Sequence, residues 1–202
     1  MSKLKLQVPT PGFKAIIFDL DGTLVDSMPA HFKAWCTALA KQGHHGVFPE
    51  DVFYAMGGRP TRDIVEIING EQELNLDADE VAFAKKQAYL EHLDSVELIA
   101  EVAEVATKYR GIIPLAVASG GSRVVVEKTL QKLGISDWFD EVVTCTDVKK
   151  GKPAPDIFLE TASRLRIDPK DCLVYEDGRA GIIAAREAGM EVIVVPTHLH
   201  LD

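Results

Sequence analysis

The chain is short of several things, and each shortage removes a class of function. Basic residues are outnumbered, 22 Lys and Arg against 31 Asp and Glu for a formal net charge of −9. That balance argues against the basic face by which proteins grip a nucleic-acid backbone. It does not exclude an anionic small molecule, which a few local cations and one metal ion can hold whatever the overall charge. Cysteine is scarce: Cys36, Cys145 and Cys172 lie far apart with no Cys-x-x-Cys pair. Neither a disulfide framework nor a zinc site is suggested, and buried small hydrophobes are the expectation for all three. No apolar run reaches the ~18 residues of a membrane span, and Met1 to Gly12 lacks the apolar core of a secretory signal. A cytoplasmic protein with no membrane or nucleic-acid partner is expected. Internal repeats and low-complexity tracts are missing too.

What remains reads as a soluble globular chain, with 47% hydrophobic and 26% charged residues over 202 positions. Five short apolar runs read as strands: Ala15 to Phe18, Pro114 to Ala118, Glu141 to Thr144, Cys172 to Tyr175 and Glu191 to Val195. Most are too continuously apolar to keep one wet face, which is the signature of a parallel sheet covered on both sides. Helix-length segments separate the later runs, at Gly121 to Leu133, Pro153 to Arg166 and Arg179 to Ala188, with Gly134 and Gly189 closing the first and last. The expected fold class is therefore α/β, a doubly wound, Rossmann-like parallel sheet of five strands.

The first crossover breaks the pattern, because 95 residues separate Phe18 from Pro114 and none of them reads as a strand. Helical spacing is visible over Met28 to Lys41, Thr61 to Ile68 and Asp79 to Leu93, with Val96 to Tyr109 returning as a crossover helix. We expect an inserted helical cap subdomain over residues 27–93, and a core made of residues 1–26 and 94–202.

Ligands of an open parallel sheet bind beyond the carboxyl ends of its strands, where the strand order reverses. The polar residues fall there. The first strand runs into Asp19 and Asp21, the second into Ser119-Gly120-Gly121 and the fourth into Glu176-Asp177-Gly178, while the loop after the third carries Lys149, Lys150 and Lys152. Two carboxylates spaced i, i+2 at a strand end share a face and repel, which favours a shared proton or a bound cation. An acidic strand end entering a turn is the plainer reading of that pair alone. The whole set suits phosphoryl transfer. Asp19 can attack phosphorus once a divalent cation screens the two anions, and magnesium suits an all-oxygen site. Asp21 can handle the proton. Ser119 and the glycine-turn N–H groups can hold phosphoryl oxygens, Lys152 can neutralise them, and Asp177 with Glu176 can complete a metal shell.

Asp19-Leu20-Asp21-Gly22-Thr23, Ala118-Ser119-Gly120, Gly151-Lys152-Pro153-Ala154-Pro155-Asp156 and Tyr175-Glu176-Asp177 together resemble the four ordered motifs of the haloacid dehalogenase-like hydrolases. The insertion resembles the helical cap of the subgroup that contains β-phosphoglucomutase and small sugar-phosphate phosphatases, and His31-Phe32-Lys33-Ala34-Trp35 is similar to its first cap helix. The resemblance implies Asp19 as nucleophile, Asp21 as acid and base, and Ser119 and Lys152 on the phosphate. It implies magnesium on the Asp19 carboxylate, the Asp21 main-chain carbonyl and Asp177. Leu20 and Gly120 join as substrate-binding candidates. Two departures stand out: Gly178 replaces a small hydroxyl residue, and Ser95-Val96-Glu97-Leu98-Ile99 replaces a Pro-Gly pair before the crossover helix. The second resembles bacterial phosphatases acting on fructose 1-phosphate and favours hydrolysis over mutase chemistry.

The expected function is a magnesium-dependent phosphatase for a small phosphorylated metabolite, working as a monomer or weak homo-oligomer. A phosphosugar mutase would use the same core, and a receiver-like signalling module would share the aspartate, hydroxyl and lysine but lack the insertion. Substrate choice falls to the lid. His31 is a candidate there, with packing beside Trp35 as its alternative, and so is Arg59, which follows two glycines. Lys85 and Lys86 are candidates as well, with a solvated face as the plainer reading, while His44 and His45 read as surface and His198 and His200 as a frayed tail.

Overall fold

The computed structural model describes residues 12–196. His198 and His200 lie outside them. Strand β1, Ala15–Phe18, is buried along its whole length. A short strand β2, Val25–Asp26, leads into helices α1 (Met28–Lys41), α2 (Glu50–Ala55), α3 (Thr61–Gln72) and α4 (Ala78–Glu91). The chain returns through β3 (Glu97–Leu98) and then alternates α5 (Ala100–Tyr109), β4 (Leu115–Ser119), α6 (Arg123–Lys132), β5 (Glu141–Thr144), α7 (Asp156–Leu165), β6 (Cys172–Glu176), α8 (Arg179–Glu187) and β7 (Glu191–Val194). Among the described residues no helix is long and apolar enough to cross a membrane.

The five long-range strands lie in the order β5-β4-β1-β6-β7, every pair parallel. Chain order thus runs outward from β1 through β4 to β5, then crosses back to β6 and β7. The reversal sits between β1 and β6, where such sheets bind ligands. The period of two along the strands divides the core between the two faces. Ile16, Phe18, Leu115, Val117, Leu173 and Tyr175 pack with Val102 and Ala106 of α5 and Val126 and Leu130 of α6. Ala15, Ile17, Ala116, Ala118 and Val174 pack with Ile157 and Phe158 of α7 and Ala184 and Ala185 of α8. Phe18 also stacks on Tyr175, centroids 5.3 Å apart; truncating so enclosed a phenylalanine to alanine costs about 3–5 kcal/mol.

The insertion has a core of its own, where Trp35, Leu39, Phe48, Phe53, Ile64, Val65, Ile68 and Val81 meet. Helix α4 starts on Asp77, whose carboxylate accepts from the Asp79 and Glu80 N–H groups. Helix α2 is absent from the sequence reading. So are β2 and β3, which pair antiparallel, Val25 opposite Leu98 and Asp26 opposite Glu97. The expectation of one helix from Val96 to Tyr109 is corrected: Val96 is buried, Glu97 exposed, and Ile99 donates its N–H to Leu24 before α5 begins. An extended pairing there costs nothing in apolar burial and ties the two connections of the insertion side by side. The cysteine expectation is also corrected, since only Cys172 is buried; Cys145 is half-buried and Cys36 faces solvent.

Candidate active site

Strand β1 stops at Phe18, and the next residues gather at the carboxyl end of the sheet. Asp19 is held in place by its N–H, which donates to the Tyr175 carbonyl of β6 at 3.0 Å. Gly22 turns the chain at φ +89°, and a Cβ there would lie 2.6 Å from Asp177 Oδ2, so both the turn and the neighbouring carboxylate require glycine. Lys152 reaches in from the loop before α7 and is 1% exposed. Its Nζ donates to Asp19 Oδ1 at 2.6 Å, to Glu176 Oε2 at 2.7 Å and to the Ala118 carbonyl at 3.1 Å. The hydroxyl of Thr23 donates to Asp177 Oδ1 at 2.7 Å. Four of the residues read from the sequence, Asp19, Lys152, Glu176 and Asp177, are thus brought into one cluster.

Asp21 belongs to the same rim but faces different partners. Its Oδ1 accepts from the Ser27 hydroxyl at 2.6 Å and lies 2.9 Å from His31 Nε2, while its Oδ2 is 3.5 Å from Ser119 Oγ. The two aspartates line one cavity but engage different partners, Lys152 for Asp19 and Ser27 with His31 for Asp21; both lie beyond the end of β1 at Phe18, so strand alternation does not set them. Ser119 Oγ accepts the Gly121 N–H at 3.0 Å, which leaves its own proton free to donate. The glycine turn runs directly into α6. Leu20 is fully buried in the apolar core, so only its backbone can take part; its N–H supports the Asp19 carboxylate.

The electrostatics of the cluster favour a cation. Asp19, Glu176 and Asp177 offer oxygens that all lie within 4.8 Å of one another, against one ammonium. Burial raises the Asp19 carboxyl above its usual range, only partly opposed by Lys152. Burial and the charge of Asp19 push Glu176 up to about 8 and Asp177 up to about 7. Lys152 is held above the ordinary lysine range by Asp19 and Glu176 despite its own burial. A divalent ion with oxygen preference relieves that excess of negative charge, and the donor set suits magnesium. Both oxygens of Glu176 are engaged, Oε1 by the Gly178 N–H at 2.9 Å and Oε2 by Lys152. Gly178, one of the two departures, has a structural counterpart: a Cβ there would come within 3.3 Å of both Glu176 Oε1 and the Gly57 carbonyl.

At Asp21 the balance is reversed. Burial and the charge of Lys85 hold His31 below the usual imidazole range. Burial alone would raise the Asp21 carboxyl, but the His31 ring, the Ser27 hydroxyl and Lys85 more than offset it and keep Asp21 ionised. An ionised Asp21 can only accept, so His31 Nε2 is the donor of that pair.

A cavity of about 390 Å³ opens over this rim. Asp19, Asp21, Gly120 and Gly121 line its sheet side, and His31, Trp35, Arg59, Lys85 and Lys86 its far wall. His31 and Arg59, both candidates from the sequence, line the cavity. Lys85 is a correction: it is half-buried, 5.7 Å over the Trp35 ring, and burial brings its ammonium down to about 8. Lys85 stands four residues from both Val81 and Tyr89, which are buried, but the exposed Phe83 breaks the stripe that would have marked that face. Lys86 also lines the cavity, half-buried over the Phe83 ring. Thr23, which holds Asp177, and Ser27, which holds Asp21, were missed as site residues although Thr23 closes the opening motif and Ser27 lies four residues beyond it.

Three kinds of comparison with known proteins bear on this chain. The family model of haloacid dehalogenase-like hydrolases matches residues 13–189. The chain is 39% identical over 185 residues to fructose-1-phosphate phosphatase YqaB of Escherichia coli strain K12, covering 91% of this chain and 96% of that protein. It is 33% identical to the β-phosphoglucomutase of Bacillus subtilis strain 168, over 90% of this chain and 83% of the relative. Among solved structures, β-phosphoglucomutase from Clostridium difficile superposes with a TM-score of 0.82 at 26% identity, covering 94% of this chain and 87% of that one.

Proposed function

The chain belongs to the haloacid dehalogenase-like hydrolase family, as a phosphoric monoester hydrolase, and from that premise we propose that it cleaves a small phosphorylated sugar with magnesium through a phosphoaspartate at Asp19. The observation that carries the reading is Lys152 Nζ, which spans Asp19 and Glu176 beside Asp177 at the carboxyl ends of β1 and β6. The first of the relatives, at 39% identity, is a sugar phosphatase by name, which supports hydrolysis over transfer to a second sugar.

Magnesium would be held by the Asp19 and Asp177 carboxylates and the Asp21 main-chain carbonyl, with Glu176 beside them, and when bound it supplies charge neutralisation between the attacking carboxylate and the phosphoryl group. Lys152 and the Ser119 hydroxyl, with the N–H groups of the turn before α6, bind the phosphoryl oxygens. An Asp19 oxygen attacks phosphorus and the ester oxygen departs with a proton from Asp21, which takes that proton from solvent before the first turnover and from the hydrolytic water of the preceding one thereafter. Asp21 then takes a proton from a water molecule, which attacks the phosphoaspartate and releases inorganic phosphate and free Asp19. The ionised Asp21 held by Ser27 and His31 is the form that the second half-reaction needs. Residues 27–93 act as the cap over a core of residues 1–26 and 94–202, and His31, Arg59 and Lys85 read the leaving group. A cytoplasmic location, as a monomer or weak homo-oligomer, completes the reading.

Release of inorganic phosphate from a panel of sugar phosphates, with and without magnesium, is the test. Magnesium-dependent release is expected. Interconversion of glucose 1-phosphate and glucose 6-phosphate with little phosphate released would replace the phosphatase with a mutase, and no turnover of any monoester would end both readings.

A further inference from the structure

We propose that Tyr89 is a positioning residue for proton transfer, acting through His31 on Asp21, with Thr129 as its anchor. The inference rests on the phosphatase reading above and concerns a side chain of the cavity wall that would act on Asp21 through its neighbour His31. His31 has one hydrogen-bonded nitrogen, Nε2 against Asp21 at 2.9 Å. Its Nδ1 is buried and has no hydrogen-bond partner among the described residues. An imidazole that serves chemistry is ordinarily oriented by a bond to its second nitrogen. Here that bond is missing, so the ring plane must be set by packing.

The packing comes from Tyr89. Its ring lies 3.9 Å from the His31 ring, centroid to centroid, with the planes 12° apart. Tyr89 is fully buried, and its hydroxyl lies 3.1 Å from Thr129 Oγ1. Thr129 gives its own proton to the Val125 carbonyl at 3.0 Å, so the tyrosine is the donor in that pair. The line Thr129, Tyr89, His31, Asp21 therefore crosses α6, α4 and α1 and ends on the carboxylate that handles the proton. Only a shared position of the inserted helices and the sheet-bound α6 completes it. Orientation of this kind matters because a general acid misplaced by a fraction of an ångström loses much of its contribution, which is about 10²–10⁴-fold in full.

A residue acting this way should matter in proportion to how much the leaving group needs a proton. The experiment compares kcat/KM for a sugar phosphate, whose alkoxide leaves poorly, with that for p-nitrophenyl phosphate, whose phenolate leaves unaided. Tyr89→Leu, which removes the stack, is expected to lower the first about tenfold or more and the second less than about threefold, mainly through kcat. Combined with His31→Asn it should add nothing to the loss that His31→Asn causes alone. Tyr89→Phe and Thr129→Val, which keep the packing, should give equal smaller losses with the same substrate bias, and the double variant should be no worse than either. These two carry the test if the leucine variant fails to fold. Equal losses on both substrates, or losses that add to those of His31→Asn, would reduce Tyr89 to a packing residue and overturn the inference. A wild type inactive on both substrates would overturn the phosphatase reading and this inference with it, whereas an active wild type whose substrate ratio no variant moves overturns the inference alone.

Discussion

Replacing Lys152 with methionine is the most direct perturbation of the carboxylate cluster. The thioether keeps most of the stem volume and removes the ammonium that sits 2.6 Å from Asp19 and 2.7 Å from Glu176 with its side chain wholly out of solvent. Removing one partner of a buried ion pair costs about 3–5 kcal/mol, because the other charge is left without compensation. Two carboxylates lose their partner here, but they can escape part of the cost by taking up protons. Both already have raised values in the folded protein. A carboxyl whose folded pKa lies above its unfolded value is neutral and harmless below the unfolded value, and it destabilises progressively as pH rises through the folded one. Loss of Lys152 widens that window upward. The destabilisation should therefore be small near pH 5.5 and approach about 3–5 kcal/mol near pH 8.5, a fall in the urea midpoint of roughly 1–3 M at a slope of about 2 kcal/mol/M. Magnesium should restore part of it by replacing the lost positive charge. Urea unfolding of both proteins at the two pH values, with and without magnesium, measures all of this. A variant within about 0.5 kcal/mol of the wild type at pH 8.5 without magnesium would show that the ammonium does not compensate these carboxylates.

Stability of the unsubstituted protein should itself fall from pH 5.5 to 8.5 in magnesium-free buffer, since Glu176 at about 8 and Asp177 at about 7 both bind protons more tightly folded than unfolded; thermal melts that stay flat over that range, or that magnesium does not steady, would contradict the charge balance described. Asp19→Asn should abolish magnesium-dependent turnover while circular dichroism stays unchanged, and retention of more than about one-hundredth of the activity would count against a covalent step at this residue. Asp21→Asn should trap acid-labile phosphate on the protein if its heavier burden is hydrolysis of the intermediate, detectable by mass spectrometry after a quench. Gly22→Ala meets both a φ of +89° and a carboxylate oxygen 2.6 Å from the new Cβ, so it should cost about 1–3 kcal/mol and raise the magnesium concentration for half-maximal activity. Gly70→Ala, inside α3 with nothing within 4 Å, is the control and should stabilise by about 0.5–1 kcal/mol.

What the sequence makes legible about the fold is what depends on continuous apolar runs. Ala15–Phe18, Leu115–Ser119 and Cys172–Glu176 are buried on both faces, and no other element leaves that pattern. Strands of two residues leave no pattern at all. Val25–Asp26 and Glu97–Leu98 exist only because the two connections of the insertion run past each other, a tertiary fact that no local window contains. Helix α2 is only six residues long, too short to establish a period.

The site divides along the same line. Asp19, Ser119, Lys152, Glu176 and Asp177 could be collected from sequence because a parallel sheet forces the carboxyl ends of its strands onto one edge, so topology alone brings residues 133 positions apart, Lys152 and Asp19, to 2.6 Å. The residues on the inserted helices have no such rule behind them. Helix α4 buries Val81, Ala88 and Tyr89 but exposes Phe83 at 61%, so its apolar residues do not form one stripe and Lys85 could not be told from a solvated lysine. Tyr89 is harder still. A buried tyrosine on an amphipathic helix is indistinguishable in sequence from core filling, and its stacking on His31 depends on how α1 and α4 cross. That limit is physical: strand ends are fixed by a repeating lattice of hydrogen bonds, whereas the pairing of faces between helices is fixed by side-chain shape. The residues proposed as nucleophile, phosphate ligands and metal carboxylates accordingly reside on the part of the fold that sequence dictates, and those proposed to read the leaving group reside on the part it leaves to packing.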